Sequence, residues 1–200
     1  MKFAQSFKIL SSTAPGTYAR ALRAIGQDIA DLFPLSVEIQ FSDETFVVRG
    51  QCSKERLAAK QPKAPRQGFR ELCADLLARD VASLAGPGKA TIVEFERVYR
   101  TDDINQIDEI GMRRRAGVGK IPDIRSLAEM LRTIGRLVDG LAGELVKIHK
   151  DMRRIVFEYT DGAGKAHNEL MSIPDLYKLQ KSFYEKRGTP VGLDPWQDRK

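Results

Sequence analysis

The stretch that decides the fold is Ile121–Leu141, IPDIRSLAEMLRTIGRLVDGL. Its apolar residues Leu127, Met130, Leu131, Ile134, Leu137, Val138 and Leu141 stand three, one, three, three, one and three positions apart. That spacing draws one stripe along a 3.6-residue repeat and predicts an amphipathic helix. Asp123 or Ser126 can accept a hydrogen bond from a free N–H at its start, and Glu129 follows Ser126 by three, as in a capping box. Gly140 and Gly143 offer stops. Burying each large side chain of the stripe is worth about 1.5–3 kcal/mol before the entropy cost is subtracted. Only a core or a partner supplies that burial, and a core helix is the plainer expectation.

A shorter echo, LRAIGQDIADL at Leu22–Leu32, precedes VEIQFSD at Val37–Asp43; the long helix precedes IVFEYTD at Ile155–Asp161. Both seven-residue strings read apolar, any, apolar, acid or amide, aromatic, hydroxyl, Asp. The alternation marks a strand with one buried face, and the hydroxyl–Asp pair marks a turn. A second extended stretch follows each, TFVVRG in one case and KAHNELM in the other. Helix followed by hairpin therefore occurs twice, which raises an internal duplication. Extra residues between helix and strand in the second copy weigh against it, and periodicity with turn chemistry alone forces some likeness.

The rest of the chain fills in around these two units. Lys2–Leu10 alternates as a first strand would, and a first helix runs to Pro34, which ends it. Strands follow at 36–42 and 45–51, joined through Ser42-Asp43-Glu44. A helix from about Gln67 to Leu84 stops at Gly86-Pro87-Gly88, and ATIVEFERVYR at Ala90–Arg100 is rich in β-branched and aromatic residues. Glu144–His149 alternates, Arg153–Thr160 is a strand, and Pro174 opens a last helix over Asp175–Lys186.

The expected class is α+β, an antiparallel sheet with helices packed on one face. Residues 1–103 have the β-α-β-β-α-β order of a ferredoxin-like domain. Residues 104–121 form an acidic-then-basic linker, 122–186 a helix–hairpin–helix unit, and 187–200 a disordered tail around Trp196. The competing layout is one larger sheet that takes strands from both halves.

Two hundred residues with 42% hydrophobic and 30% charged content suit an ordinary globular protein able to bury a core without staples. Cys52 and Cys73 stand among apolar neighbours and make no disulfide framework, so reduced buried thiols and a cytoplasmic location are expected. No signal peptide and no membrane-length apolar run is legible. The net charge of +6 is unevenly placed: residues 111–200 carry 18 Lys/Arg against 12 Asp/Glu, whereas residues 1–110 balance. An excess of that kind points to a polyanion partner or to a merely solvated surface.

Chemistry is hard to find. His149 and His167 have no Cys or His partner at metal spacing, and no Ser lies in a nucleophile elbow, so no catalytic residue, metal ligand or cofactor is assigned. Gly117-Val118-Gly119-Lys120 fails as a phosphate loop, because Ile121 stands where Ser or Thr is needed. Asp102, Asp103, Asp108 and Glu109 read as a solvated acidic run beside a basic one. What remains is basic: Arg113, Arg114, Arg115 and Lys120 in one cluster, Lys147, Lys150, Arg153 and Arg154 in another. Arginine forks suit phosphates, but no aromatics are interleaved for base stacking. The first expectation is a non-enzymatic binding or regulatory module whose basic C-terminal half meets a polyanion, nucleic-acid backbone foremost or an acidic protein. The second is a protein–protein adaptor or homodimer, and the third an enzyme whose site is assembled from scattered groups.

Overall fold

The computed structural model describes residues 17–42, 45–59, 69–78, 91–99 and 122–185. The first strand expected at Lys2–Leu10, the Arg113–Lys120 loop, the acidic run and the tail lie outside them. The deciding stretch forms a helix over Leu127–Gly140, with Ser126 as its N-cap. The Ser126 hydroxyl accepts from the N–H of Glu129 at 3.3 Å, and the chain leaves the helix where the Gly143 N–H reaches the Val138 carbonyl at 2.9 Å. Leu127, Met130, Leu131, Ile134 and Val138 are buried, so the stripe is consumed by the core; Leu141, just past the end, is 41% exposed.

In chain order the elements are α1 (Thr17–Ile29, extended by a 3₁₀ turn at Ala30–Leu32), β1 (Ser36–Ser42), β2 (Thr45–Ser53), α2 (Lys54–Ala59), α3 (Phe69–Ala78), β3 (Ile92–Tyr99), α4 (Leu127–Gly140), β4 (Glu144–Lys150), β5 (Arg154–Thr160), β6 (Ala166–Ser172) and α5 (Ile173–Glu185). Among the described residues six strands make one antiparallel sheet in the order β3-β2-β1-β4-β5-β6. The class is thus α+β, and strands from both halves of the chain share a sheet. The seam is β1 on β4, with Ile39 opposite Ile148 and Glu38 opposite His149.

The ferredoxin-like order is not what these strands display. In a split β-α-β unit the last strand returns beside the first. Here β3 lies directly against β2 over eight paired positions, Phe46–Tyr99 to Ser53–Ile92. The two similar strings also occupy unlike places. VEIQFSD is the first strand after its helix and lies in the middle of the sheet, while IVFEYTD is the second strand after its helix. Matched helix to helix, each half instead opens with a helix and lays three strands outward from the seam, the first half carrying α2 and α3 between its second and third strands.

Alternation explains the core. Val37, Ile39, Phe46, Val48, Val93, Phe95, Leu145, Ile148, Ile155 and Phe157 all face the helices and are buried. Against them α1 and α4 cross antiparallel, packed closely because small residues meet at two places. A side chain on Gly26 would lie 2.7 Å from the Ala128 Cα, and one on Gly135 would lie 2.6 Å from the Ala19 Cα. The contacts are reciprocal: glycine of each helix on alanine of the other. At one end of the crossing the Asp139 carboxylate accepts from the N–H groups of both Tyr18 and Ala19, each at 3.0 Å. The first turn of α1 is therefore capped by α4.

Candidate functional site

Every helix contact described above is on one side of the sheet. The other side presents the alternate residues of each strand. Because register fixes which side chains stand abreast, the outward row through the seam reads Glu96, Arg49, Glu38, His149, Val156 and Leu170 across the six strands. Its charges are matched to neighbours. Arg49 Nε donates to Glu96 Oε2 at 2.6 Å, and Lys147 Nζ lies 3.0 Å from Glu38 Oε2, with His149 Nδ1 4.0 Å from the same oxygen. In the adjoining row Gln51 Nε2 donates to Glu94 Oε1 at 3.1 Å, and the Ser36 hydroxyl reaches Gln51 Oε1 at 3.5 Å.

Between these rows lies an open hollow of about 550 Å³, walled by Ser36, Glu38, Arg49, Gln51, Glu94, Glu96 and His149 and floored by the backbone at Gly50 and Phe95. Gly50 is required there for a reason on the opposite side. Its missing side chain leaves room for the Phe95 ring, which an added Cβ would approach to 2.5 Å. Apolar side chains flank the polar rows: Val98 is 49% exposed, Val146 44% and Leu170 60%. Val146 owes its exposure to a break in register between Leu145 and Lys147.

The basic residues marked out in the sequence are dispersed by the strands that carry them. Lys147 faces outward and is paired with Glu38. Lys150 stands opposite Val37 on the helix side, where burial lowers its pKa and its ammonium donates to the Asp151 carbonyl at 3.1 Å. Arg153 and Arg154 sit exposed at the β4–β5 turn, their backbone N–H groups donating to Asp151 Oδ1 at 2.7 and 2.8 Å. Those two N–H bonds hold the Asp151 carboxyl below the usual carboxylate range. Arg113, Arg114, Arg115 and Lys120 lie outside the described residues.

Of the two histidines, His149 belongs to the open face. His167 is a structural member of the β5–β6 hairpin, with its ring stacked 4.8 Å from that of Tyr159 and Nε2 2.8 Å from Asp161 Oδ2. Asp161 also accepts from the Ala163 and Lys165 N–H groups, and its pKa is lowered by the His167 bond first and these amides after it. Cys52 and Cys73 are both buried, and burial pushes the Cys52 thiol up to about 11. Among the described residues no three His, Cys, Asp or Glu side chains converge as metal ligands would, and no helix is long and apolar enough to cross a membrane.

Two polar groupings escaped the sequence reading. One is Glu38, Glu94 and Glu96 on the open face; period-two alternation in SVEIQ and VEFERV shows each on a strand face, but only the strand order brings them together. The other is buried: Asp28 Oδ2 accepts from the Tyr99 hydroxyl at 2.7 Å and meets Arg97 Nε at 3.1 Å. Burial is the main cause raising the Tyr99 pKa, with the Asp28 carboxylate next, so the hydroxyl stays a donor. No local signal joins a helix residue to one on an edge strand. Comparison of the chain with protein-family models, with curated proteins and with solved structures finds no match.

Proposed function

We propose that this chain is a non-enzymatic binding module that takes a protein partner on the face of its sheet opposite the described helices. One observation carries the reading: a hollow walled by charged and polar side chains, with exposed Val98 and Val146 on the same face, which no described helix covers. Polar groups that fix orientation beside apolar groups that supply area are what a protein interface needs. Glu38, Glu94, Glu96, Glu144 and Glu158 outnumber Arg49, Lys147 and Arg154 on this face, so the fitting surface is one that brings Lys or Arg. The test is selection from a library of extended peptides, read with wild type and with Glu94→Lys/Glu96→Lys. Enrichment of basic, partly apolar peptides that the variant loses supports the reading. Selection with no such preference sinks it.

The second reading is a polyanion, nucleic-acid backbone foremost, met by the basic C-terminal half. Exposed Arg153 and Arg154 on a turn held rigid by Asp151 favour it. Titration of duplex DNA and single-stranded RNA over a range of salt separates the two. Phosphate contact gives a log–log salt slope of roughly −0.9 per neutralised phosphate on duplex DNA. Arg153→Ala/Arg154→Ala, or alanine at Arg113–Arg115, would then flatten it by about two or three units.

On the same footing we read the two halves, each opening with a helix and laying three strands outward, as copies of one module. The reciprocal Gly26–Ala128 and Gly135–Ala19 contacts support this.

A further inference from the structure

β6 ends the sheet with few of the features that keep edge strands apart, and its one acid, Glu169, stands on the helix side. All seven of its residues pair with β5 in unbroken register, and AHNELMS holds no proline, lysine or bulge. An antiparallel strand turns about half of its backbone groups toward each side, so β6 offers a row of donors and acceptors outward. Among the described residues no strand takes that side. We propose that β6 pairs antiparallel with β6 of a second copy of this chain, about a two-fold axis through Asn168, so that one sheet runs through both copies.

Charge and register select the occupant. Residues paired across antiparallel strands share a face, so a two-fold pairing of identical strands must be centred on a residue. Centred on Asn168, it sets His167 against Glu169 twice on the helix side and Ala166 against Leu170 twice on the open side. The first is a base against an acid. The second lays a small side chain against Leu170, the 60% exposed residue that the single copy leaves bare. Centred on Glu169, the pairing opposes two carboxylates; centred on His167, two imidazoles. The other edge, β3, opposes like charges in each register through its middle. Centring on Glu94, Phe95, Glu96 or Arg97 sets Glu94 on Glu94, Glu94 on Glu96, Glu96 on Glu96 or Arg97 on Arg97. Like charges directly opposite destabilise a strand pair. One edge is therefore built to close on itself and the other to refuse.

The inference rests on the edge of the sheet and stands apart from what the open face binds. Its test is sedimentation velocity of the full chain over a range of concentrations, beside Asn168→Lys and Asn168→Glu. Asn168 is exposed, so both variants should fold. Wild type should dimerise, and each variant alone should dimerise about fivefold more weakly or worse, because the axis brings two like charges together. An equimolar mixture of the variants should recover a dimer, and native mass spectrometry should show one copy of each. A wild type that stays monomeric throughout overturns the proposal, including the case in which another segment of the same chain protects the β6 amides from exchange. So does a variant that dimerises as wild type does, or a mixture that recovers nothing.

Discussion

Asp139 is the residue whose role is furthest from its local sequence. It closes α4, yet its two carboxylate oxygens hold the first N–H groups of α1, 121 residues away along the chain. Asp139→Ala leaves two buried donors without that acceptor and should cost about 2 kcal/mol in urea unfolding. Glu55 does a similar service at the surface. It accepts from the Thr91 N–H and from the Ser53 hydroxyl, each at 2.8 Å, tying α2 to the start of β3. The Thr91 amide is the chief reason its pKa falls from 4.5 to about 2. A carboxyl lowered on folding stabilises fully above its ordinary pKa and loses that contribution as pH falls through the folded value. The stability gap between wild type and Glu55→Gln should therefore hold at neutral pH and shrink between 4.5 and about 2, as followed by thermal unfolding at each pH. Cys52, raised to about 11 by burial, should not react with a thiol reagent at neutral pH until urea opens the fold.

At the scale of elements, the glycine crossings of α1 and α4 set the distance between the helices. Gly26→Ala and Gly135→Ala each drive a methyl group into the partner's backbone, at 2.7 and 2.5 Å, and each should cost about 1–3 kcal/mol. The double variant should cost less than the sum, since helices parted by one methyl already make room for the other. A denaturant double-mutant cycle reads this directly. The elements themselves were largely legible. The stripe in Leu127–Gly140, the hairpin at β1–β2 and the alternation in β3, β4 and β5 follow from period and turn chemistry. Their neighbours were not. Nothing in VEIQFSD distinguishes a strand that meets β4 from one that ends a sheet, because alternation records which face is buried and is silent on who stands beside it. The open face suffered from the same blindness. KIHKDMRR reads as one basic run, but a strand sends Lys147 and Lys150 to opposite faces, and beyond the turn only Arg154, at the start of β5, returns to the face of Lys147.

For the whole molecule the consequence is mutual dependence. One core is built from α1 and β1–β3 on one side of the seam and α4 and β4–β6 on the other. Thermal unfolding should be a single transition with equal calorimetric and van't Hoff enthalpies. Residues 1–103 or 122–186 expressed alone should lack that transition, since each would expose the long side of its helix and one edge of the seam.

The seam also orders events in time. β1 leaves the ribosome long before β4 exists. The 121 residues that separate Tyr18 from Asp139 take roughly 6 to 24 seconds to synthesise at ordinary elongation rates. For most of that interval β1 has β2 on one side and, among the described residues, no strand of the first half on the other, with Val37 and Ile39 uncovered by the later helix. In its described residues the newborn first half is a sheet with two open edges and half a roof, a natural client for a chaperone at the tunnel exit. Slowing translation between β3 and β4 should lengthen that exposure and lower the soluble yield.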